Sequence, residues 1–276
     1  MLETLLITWR ESLEAALIVG ILLTYLARSG QRAGVPYVWA GTAAAVLAAL
    51  GCAAASNGLV AGLDADVQEL VQVGVLLLAV GVLTWMVLWM HRHARAIRGH
   101  LERRADAALA RGRLLGLATI AFAAVFREGV ETVLFLWGVV VESAGVGRLP
   151  LVLAGLTGAG LAVGTAWLFF RGFRFLDLQT FFRVTGVLLL LVAAGLLTSA
   201  INKLIGLGYL SPLVPQVWNT AWLVRDDSPL GRLLAALVGY RSRPSLLEVL
   251  AYCAYFPPVV WALRRAQAVP AGRSSR

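Results

Sequence analysis

Trp9-Arg10-Glu11-Ser12-Leu13-Glu14, near the start of the chain, and Phe126-Arg127-Glu128-Gly129-Val130-Glu131, in its middle, are two copies of one pattern, Arg-Glu-x-x-Glu. In a soluble helix the pattern means ordinary ion pairing. Here each copy lies inside a long apolar stretch, and that location makes it informative. A charge near a bilayer centre costs roughly 2.5–3.5 kcal/mol on insertion scales. Six such charges amount to on the order of 15–20 kcal/mol before pairing and snorkelling reduce the burden. Leucine and glycine would pack these helices at far lower cost, so the charges are there to hold something.

Composition extends the membrane reading to the whole chain. Of 276 residues, 59% are hydrophobic and 14% charged, and the mean hydropathy is +0.79. A soluble domain carries about 25% charged residues. Apolar stretches of about 20 residues, the length that crosses a hydrocarbon core, recur throughout. The expectation is one integral membrane domain over residues 1–276. The net charge of +9 does not mark a nucleic-acid binder, because the basic residues sit in short loops between apolar segments. Cys52 and Cys253 lie in apolar segments and have no metal-ligand spacing. The first segment lacks the basic head and small-residue cleavage site of a signal peptide, so it is expected to remain as a spanning helix.

Seven spanning helices are expected, over about residues 3–27, 35–57, 67–91, 114–141, 148–170, 184–207 and 245–264. Helices are required because an isolated span must satisfy its backbone hydrogen bonds internally. Gly155, Gly158, Gly160 and Gly164 suit close packing in lipid. Arginines cluster after the first, third and fifth spans and in the tail, whereas the alternate loops offer Asp64, Asp66 and Glu69, then Glu142 with Arg148. The positive-inside rule therefore puts the N-terminus outside and the C-terminus inside. The outer loop, about 208–244, carries Arg225, Arg232, Arg241 and Arg243, but long loops count for less. Within it, Trp218, Trp222 and Leu230–Val238 read as a short interfacial or re-entrant helix held by Pro212, Pro215 and Pro229. Arg92–Arg113 reads as a helix on the anionic inner leaflet, after an aromatic belt at Trp85 and Trp89.

Each motif opens a unit of three spans, repeat one at about 1–113 and repeat two at about 114–207. Three is odd, so the second unit enters the membrane from the opposite side. The fold class is thus an all-α polytopic membrane protein, with two inverted three-helix repeats, the 208–244 loop and a last helix at 245–264. Transporters of that construction bind cargo near the midplane at the repeat interface.

Glu11 and Glu14 are three residues apart and share a helix face, with Arg10 one turn from Glu14; Glu128, Glu131 and Arg127 repeat this. If the two helices meet antiparallel, four carboxylates and two guanidiniums converge with a sum of −2 when all are ionised, which invites a cation. An all-oxygen anionic site suits a hard cation. Glu3 lies eleven residues before Glu14 and Glu142 eleven after Glu131, nearly three turns, or about 16 Å. With Asp64, Asp66 and Glu69, these acids outline an outer approach for an imported ion. The bland alternative, register-fixing pairs Arg10–Glu14 and Arg127–Glu131, would leave Glu11 and Glu128 unpaired.

The duplicated motif, with Thr84-Trp85-Met86, Trp89-Met90, His93-Ala94-Arg95 and Gly239-Tyr240 before Pro244, resembles the bacterial branch of the oxidase-dependent iron permease family over nearly the whole chain. The resemblance implies seven spans in the cytoplasmic membrane and import of iron, as ferric ion delivered by an outer-side ferroxidase partner. It carries the family's metal-binding glutamates onto Glu11, Glu14, Glu128 and Glu131, and its arginines onto Arg10 and Arg127. Ser12 stands where glycine is usual, and Asn219 where relatives have aspartate, which puts an outer-loop carboxylate in doubt.

The residues themselves specify only a hard cation, so another divalent metal remains the alternative. An intramembrane enzyme acting on lipid would need a nucleophile or metal motif such as His-Glu-x-x-His or Gly-x-Ser-x-Gly, and the sequence has neither. A scaffold for an oxidase would not need the duplicated glutamates. No cofactor is expected, and a homo-oligomer is left open. His91, His93 and His100 read as neighbours of loop arginines, and Met86 and Met90 as interface packing.

Overall fold

Long runs of Leu, Ala, Val and Gly between short basic loops can satisfy their backbone only as helices in an apolar surround, and every regular element among the described residues is helical. The computed structural model describes residues 2–61, 64–93, 97–110, 114–142, 148–171, 178–226 and 228–268. The helices are α1 (Leu2–Arg28), α2 (Val35–Ala61), α3 (Ala65–His93), α4 (Ile97–Ala110), α5 (Leu114–Glu142), α6 (Arg148–Phe170), α7 (Leu178–Gly206), α8 (Pro229–Val238) and α9 (Leu246–Ala268). A single 3-10 turn, Arg32–Gly34, joins α1 to α2. Among the described residues, five segments are long and apolar enough to cross a membrane: Arg32–Ser56, Val67–Met90, Leu149–Phe170, Arg183–Gly206 and Leu246–Arg265. At 27 and 29 residues, α1 and α5 match their length; what sets them apart is the motif charges. The short helix expected at Leu230–Val238 is α8. Ser228 starts it by accepting a 2.9 Å bond from the Gly231 N–H, and Gly239 ends it in the left-handed region, φ 66°.

The chain forms two compact units. One comprises Met1–Val71 and Arg95–Leu178; the other comprises Gln72–Ala94 and Gln179–Arg276. In the first, the tightest packing pairs α2 with α5 and α1 with α6, and α1 also packs on α5. Both tight pairs depend on a glycine. A Cβ on Gly41 of α2 would stand 2.2 Å from the Ala118 carbonyl oxygen, and one on Gly158 of α6 would stand 2.5 Å from that of Leu5. Each pair runs parallel: Gly41 faces Ala118 and Ala49 faces Gly129, while Thr8 faces Gly155 and Gly20 faces Phe170. By contrast α1 and α5 are antiparallel, with Leu26 beside Leu117 at Gly34 and Glu11 beside Glu128.

The C-terminal half of α1 and the N-terminal half of α5 share an apolar core around Val19, Leu22, Leu26, Leu117, Ala121 and Val125. From α4, Ala105 joins this core, and the Tyr25 hydroxyl of α1 donates to the Asp106 carboxylate. In the second unit, Lys203 of α7 donates to Gln72 of α3 at 2.9 Å, and Thr84 of α3 meets the Tyr255 hydroxyl of α9 at 2.7 Å. The Gly195 and Gly239 backbones approach so closely that a Cβ on Gly239 would be 2.8 Å from the Gly195 Cα.

Candidate functional site: a buried carboxylate cluster

The glutamates of both motifs converge within the first unit. Helical spacing puts Glu11 and Glu14 on one face of α1, and Glu128 and Glu131 on one face of α5; the antiparallel contact brings the faces together. All four are buried. One carboxylate oxygen from each of Glu11, Glu128 and Glu131 lies within 4.8 Å of the others. Glu14 is not part of that triplet but stands in coulombic range of Arg127 and Glu128. Two oxygens on opposite sides of a small octahedral cation, each about 2.1 Å from it, are about 4.2 Å apart.

Each arginine serves both acids of its own motif. Arg10 Nη1 lies 2.6 Å from Glu11 Oε1, and its Nη2 lies 2.7 Å from Glu14 Oε1. Arg127 Nη2 lies 2.9 Å from Glu128 Oε1, and its Nε lies 3.4 Å from Glu131 Oε1. This corrects one step of the sequence argument, because ion pairing does not leave Glu11 and Glu128 unpaired. A planar guanidinium presents several donors in a fork and reaches two acids at once. Pairing still leaves a second oxygen over on three of the acids. Glu11 Oε2, Glu128 Oε2 and Glu131 Oε2 are buried and accept no hydrogen bond from the protein. A lone pair so placed is costly unless something positive meets it.

The two copies differ in exposure. The Arg10 side chain is 2% exposed and that of Arg127 41%. Glu11 and Glu128 also face a cavity of about 450 Å³ between α1, α2 and α5, whose other polar lining is Ser12, Ser56 and Thr132. Gly129 lets α2 approach at this point, since a Cβ there would be 2.7 Å from that of Ala49.

Glu3 is buried in the first turn of α1, whereas Asp64 and Glu69 are exposed. The side chains of Asp66, Glu142, His91, His93 and His100 lie outside the described residues. Asn219 accepts from the Ala221 N–H at 3.1 Å and from Arg243 at 3.4 Å, as a turn-forming residue.

Sequence reasoning passed over Glu248, which is 2% exposed in α9. Its Oε1 receives Asn202 at 3.0 Å and lies 3.3 Å from Arg241; its Oε2 accepts the Ser245 N–H at 2.7 Å and the Ser245 hydroxyl at 2.8 Å. The signal was legible, because Ser245-Leu-Leu-Glu248 is a capping box. Also missed were Thr4 and Thr8, whose hydroxyls are buried and receive or donate no bond within the protein.

Comparison with known proteins identifies the family of the chain. The profile of the iron permease FTR1 family matches residues 1–269. The ferrous iron permease EfeU of Escherichia coli O157:H7 is 33% identical over 274 residues, covering 98% of each chain. Its namesake in Yersinia pestis is 34% identical over 257 residues, 92% of this chain and 90% of the relative. An uncharacterised protein of Archaeoglobus fulgidus is 33% identical over 275 residues, 96% of this chain and 95% of that one. No solved structure gives a significant match. A family profile spanning almost the whole chain, joined to five helices apolar enough to cross a membrane, makes this a multi-pass membrane protein of the FTR1 iron permease family.

Proposed function

We propose that the protein imports ferric iron across the cytoplasmic membrane, binding it at Glu11, Glu128 and Glu131, with Glu14 as the fourth acid and Arg10 and Arg127 as the compensating charge. The observation that carries this reading is the set of three unpartnered carboxylate oxygens in a buried, all-oxygen site. Hard oxygen donors match a hard, highly charged cation, and with all four acids ionised the two guanidiniums leave an excess of two negative charges. The reading places the whole chain in one permease domain with seven spans, the five apolar segments plus α1 and α5, N-terminus outside and C-terminus inside. It requires no resident cofactor and no catalytic step. Iron would arrive past Glu3 and the acids at Asp64, Asp66, Glu69 and Glu142, from an outer-side ferroxidase, and a homo-oligomer is compatible with it.

The inverted repeat is part of the same proposal. The packing of α1 on α6 and of α2 on α5 supports it, because each first helix of a repeat lies against the second helix of the other. A pseudo-two-fold axis between α1 and α5 would exchange the two pairs. A second reading, import of ferrous iron, is favoured by the names of the bacterial relatives.

The test is radioactive iron uptake in cells at matched membrane levels, with ferrous iron held reduced by ascorbate or ferric iron presented as a weak chelate. Glu11→Gln, Glu128→Gln and Glu131→Gln are each expected to abolish uptake while inserting normally. Uptake that survives all three would reduce the cluster to structural ion pairing. Uptake from the reduced pool alone would establish the ferrous reading.

A further inference from the structure

The two faces that lead to the cluster are not alike. On α5 the positions one and two turns before Glu128 are Val125 and Ala121, both packed in the apolar core. On α1 the repeat-equivalent positions before Glu11 are Thr8 and Thr4, 8% and 4% exposed. Helical spacing places Thr4, Thr8 and Glu11 along one stripe. The second repeat shows that alanine and valine satisfy the packing at these positions, so the hydroxyls are not there to fill space.

Nor do they serve the backbone. A helical threonine normally returns its hydroxyl to a carbonyl one turn back, and Thr42, Thr84, Thr119, Thr132, Thr157 and Thr165 all do so. Thr8 has the Thr4 carbonyl within that reach and does not use it. Its hydroxyl faces α6 at Gly155, where an added Cβ would be 3.9 Å from Oγ1. Glycine offers no side-chain partner there. Thr4, in the first turn, has no helical carbonyl behind it. Two buried hydroxyls without partners cost free energy, and they lie on the stripe that ends at a carboxylate with a free oxygen.

We propose that the hydroxyls of Thr4 and Thr8 are rungs of an oxygen ladder that passes the cation down the first two turns of α1 to Glu11. The proposal rests on the import reading given above. Successive rungs are about 6 Å and then about 4.5 Å apart along the axis, each a single hop for an ion exchanging ligands. Neutral oxygens can replace hydration oxygens one at a time and still release the ion, as in filters lined by carbonyls. The hydroxyl is as hard a donor as the carboxylate, so the ion meets the same chemistry throughout. The equivalent approach along α5 is closed by Ala121 and Val125, which makes the ladder one-sided.

The experiment is iron uptake by cells carrying Thr8→Val, Thr8→Ser, Thr4→Val or Glu128→Gln, at matched membrane levels and over a range of iron concentrations. Valine is already the residue at the equivalent position of α5, so it is compatible with the helix contact. Thr8→Val is expected to raise the half-saturating concentration about tenfold, through weaker cation capture. Thr8→Ser, which keeps the oxygen, should stay within about twofold of wild type, and Thr4→Val should follow Thr8→Val in the same direction. Wild-type uptake in both valine variants, or a serine variant as impaired as the valine one, overturns the ladder. Glu128→Gln separates the two levels of the argument. If it abolishes uptake while both valine variants behave as wild type, only the ladder falls; if it leaves uptake intact, the import site falls and the ladder with it.

Discussion

Two sets of buried acids can be set side by side, the motif glutamates of α1 and α5 in the first unit and Glu248 of α9 in the second. Glu248 uses both oxygens, through Asn202, Arg241, and the amide and hydroxyl of Ser245. Glu11, Glu128 and Glu131 each keep one oxygen that nothing in the protein meets. Burial and an arginine neighbour are common to both sets; incomplete pairing is what separates them. A carboxylate that only ties helices together gains nothing from a bare oxygen and is destabilised by it.

The sharpest way to break this comparison is at the arginines. Arg10 is enclosed and joins Glu11 to Glu14 at 2.6 and 2.7 Å, whereas Arg127 is 41% exposed and its bonds are longer, 2.9 and 3.4 Å. A lysine ammonium is a single point and cannot replace a fork that spans two acids. Arg10→Lys is therefore expected to lower iron uptake by about tenfold or more, and Arg127→Lys by about two- to threefold. Equal losses in the uptake assay would mean that enclosure does not set the arginine's importance.

The next effect concerns stability rather than transport. Glu248→Gln removes the charge but keeps much of the shape, leaving Arg241 and the Ser245 amide with a weaker acceptor. A loss of about 1–2 kcal/mol is expected, lowered from the value for a fully buried pair because the Arg241 side chain is 31% exposed. Thermal unfolding of the detergent-solubilised protein should register it, while uptake per inserted molecule stays within about twofold of wild type. A glutamine that stopped transport without lowering stability would place Glu248 among the cargo acids and erase the distinction.

The smallest effect tests the scaffold around the open oxygens. Gly129→Ala puts a Cβ 2.7 Å from that of Ala49, which pushes α5 from α2 beside Glu128. Uptake should fall by about two- to fivefold, and Ala49→Gly in the same chain should restore most of it, the coupling expected of two groups in contact. A double variant no better than Gly129→Ala alone would mean that the glycine acts through something other than this contact.

Much of the fold was legible beforehand. Hydrophobic length located the long helices; the apolar span of α7 opens at Arg183, beside the expected 184, while the helix itself begins earlier, at Leu178. The Ser245–Glu248 capping box was readable and went unused. What could not be read was the division of two arginines among four acids. Spacing along α1 favours Arg10–Glu14 alone, and the extra bond to Glu11 depends on rotamers that packing selects.

By itself the sequence determined that the chain is helical and apolar, that two identical charged patterns lie in two of its long helices, and that each pattern shows its glutamates on one face. These are properties of single helices, set by a period of 3.6 residues and by the solvent that composition selects. Only the tertiary structure decided that the two faces meet antiparallel, which oxygens stay open, that Arg10 is enclosed while Arg127 is not, and that Thr8 turns its hydroxyl from the backbone. Those depend on how closely neighbouring helices approach, and that distance is set by contacts such as Gly41 on Ala118 and Gly158 on Leu5. Residues so distant in sequence leave no periodic trace of their meeting.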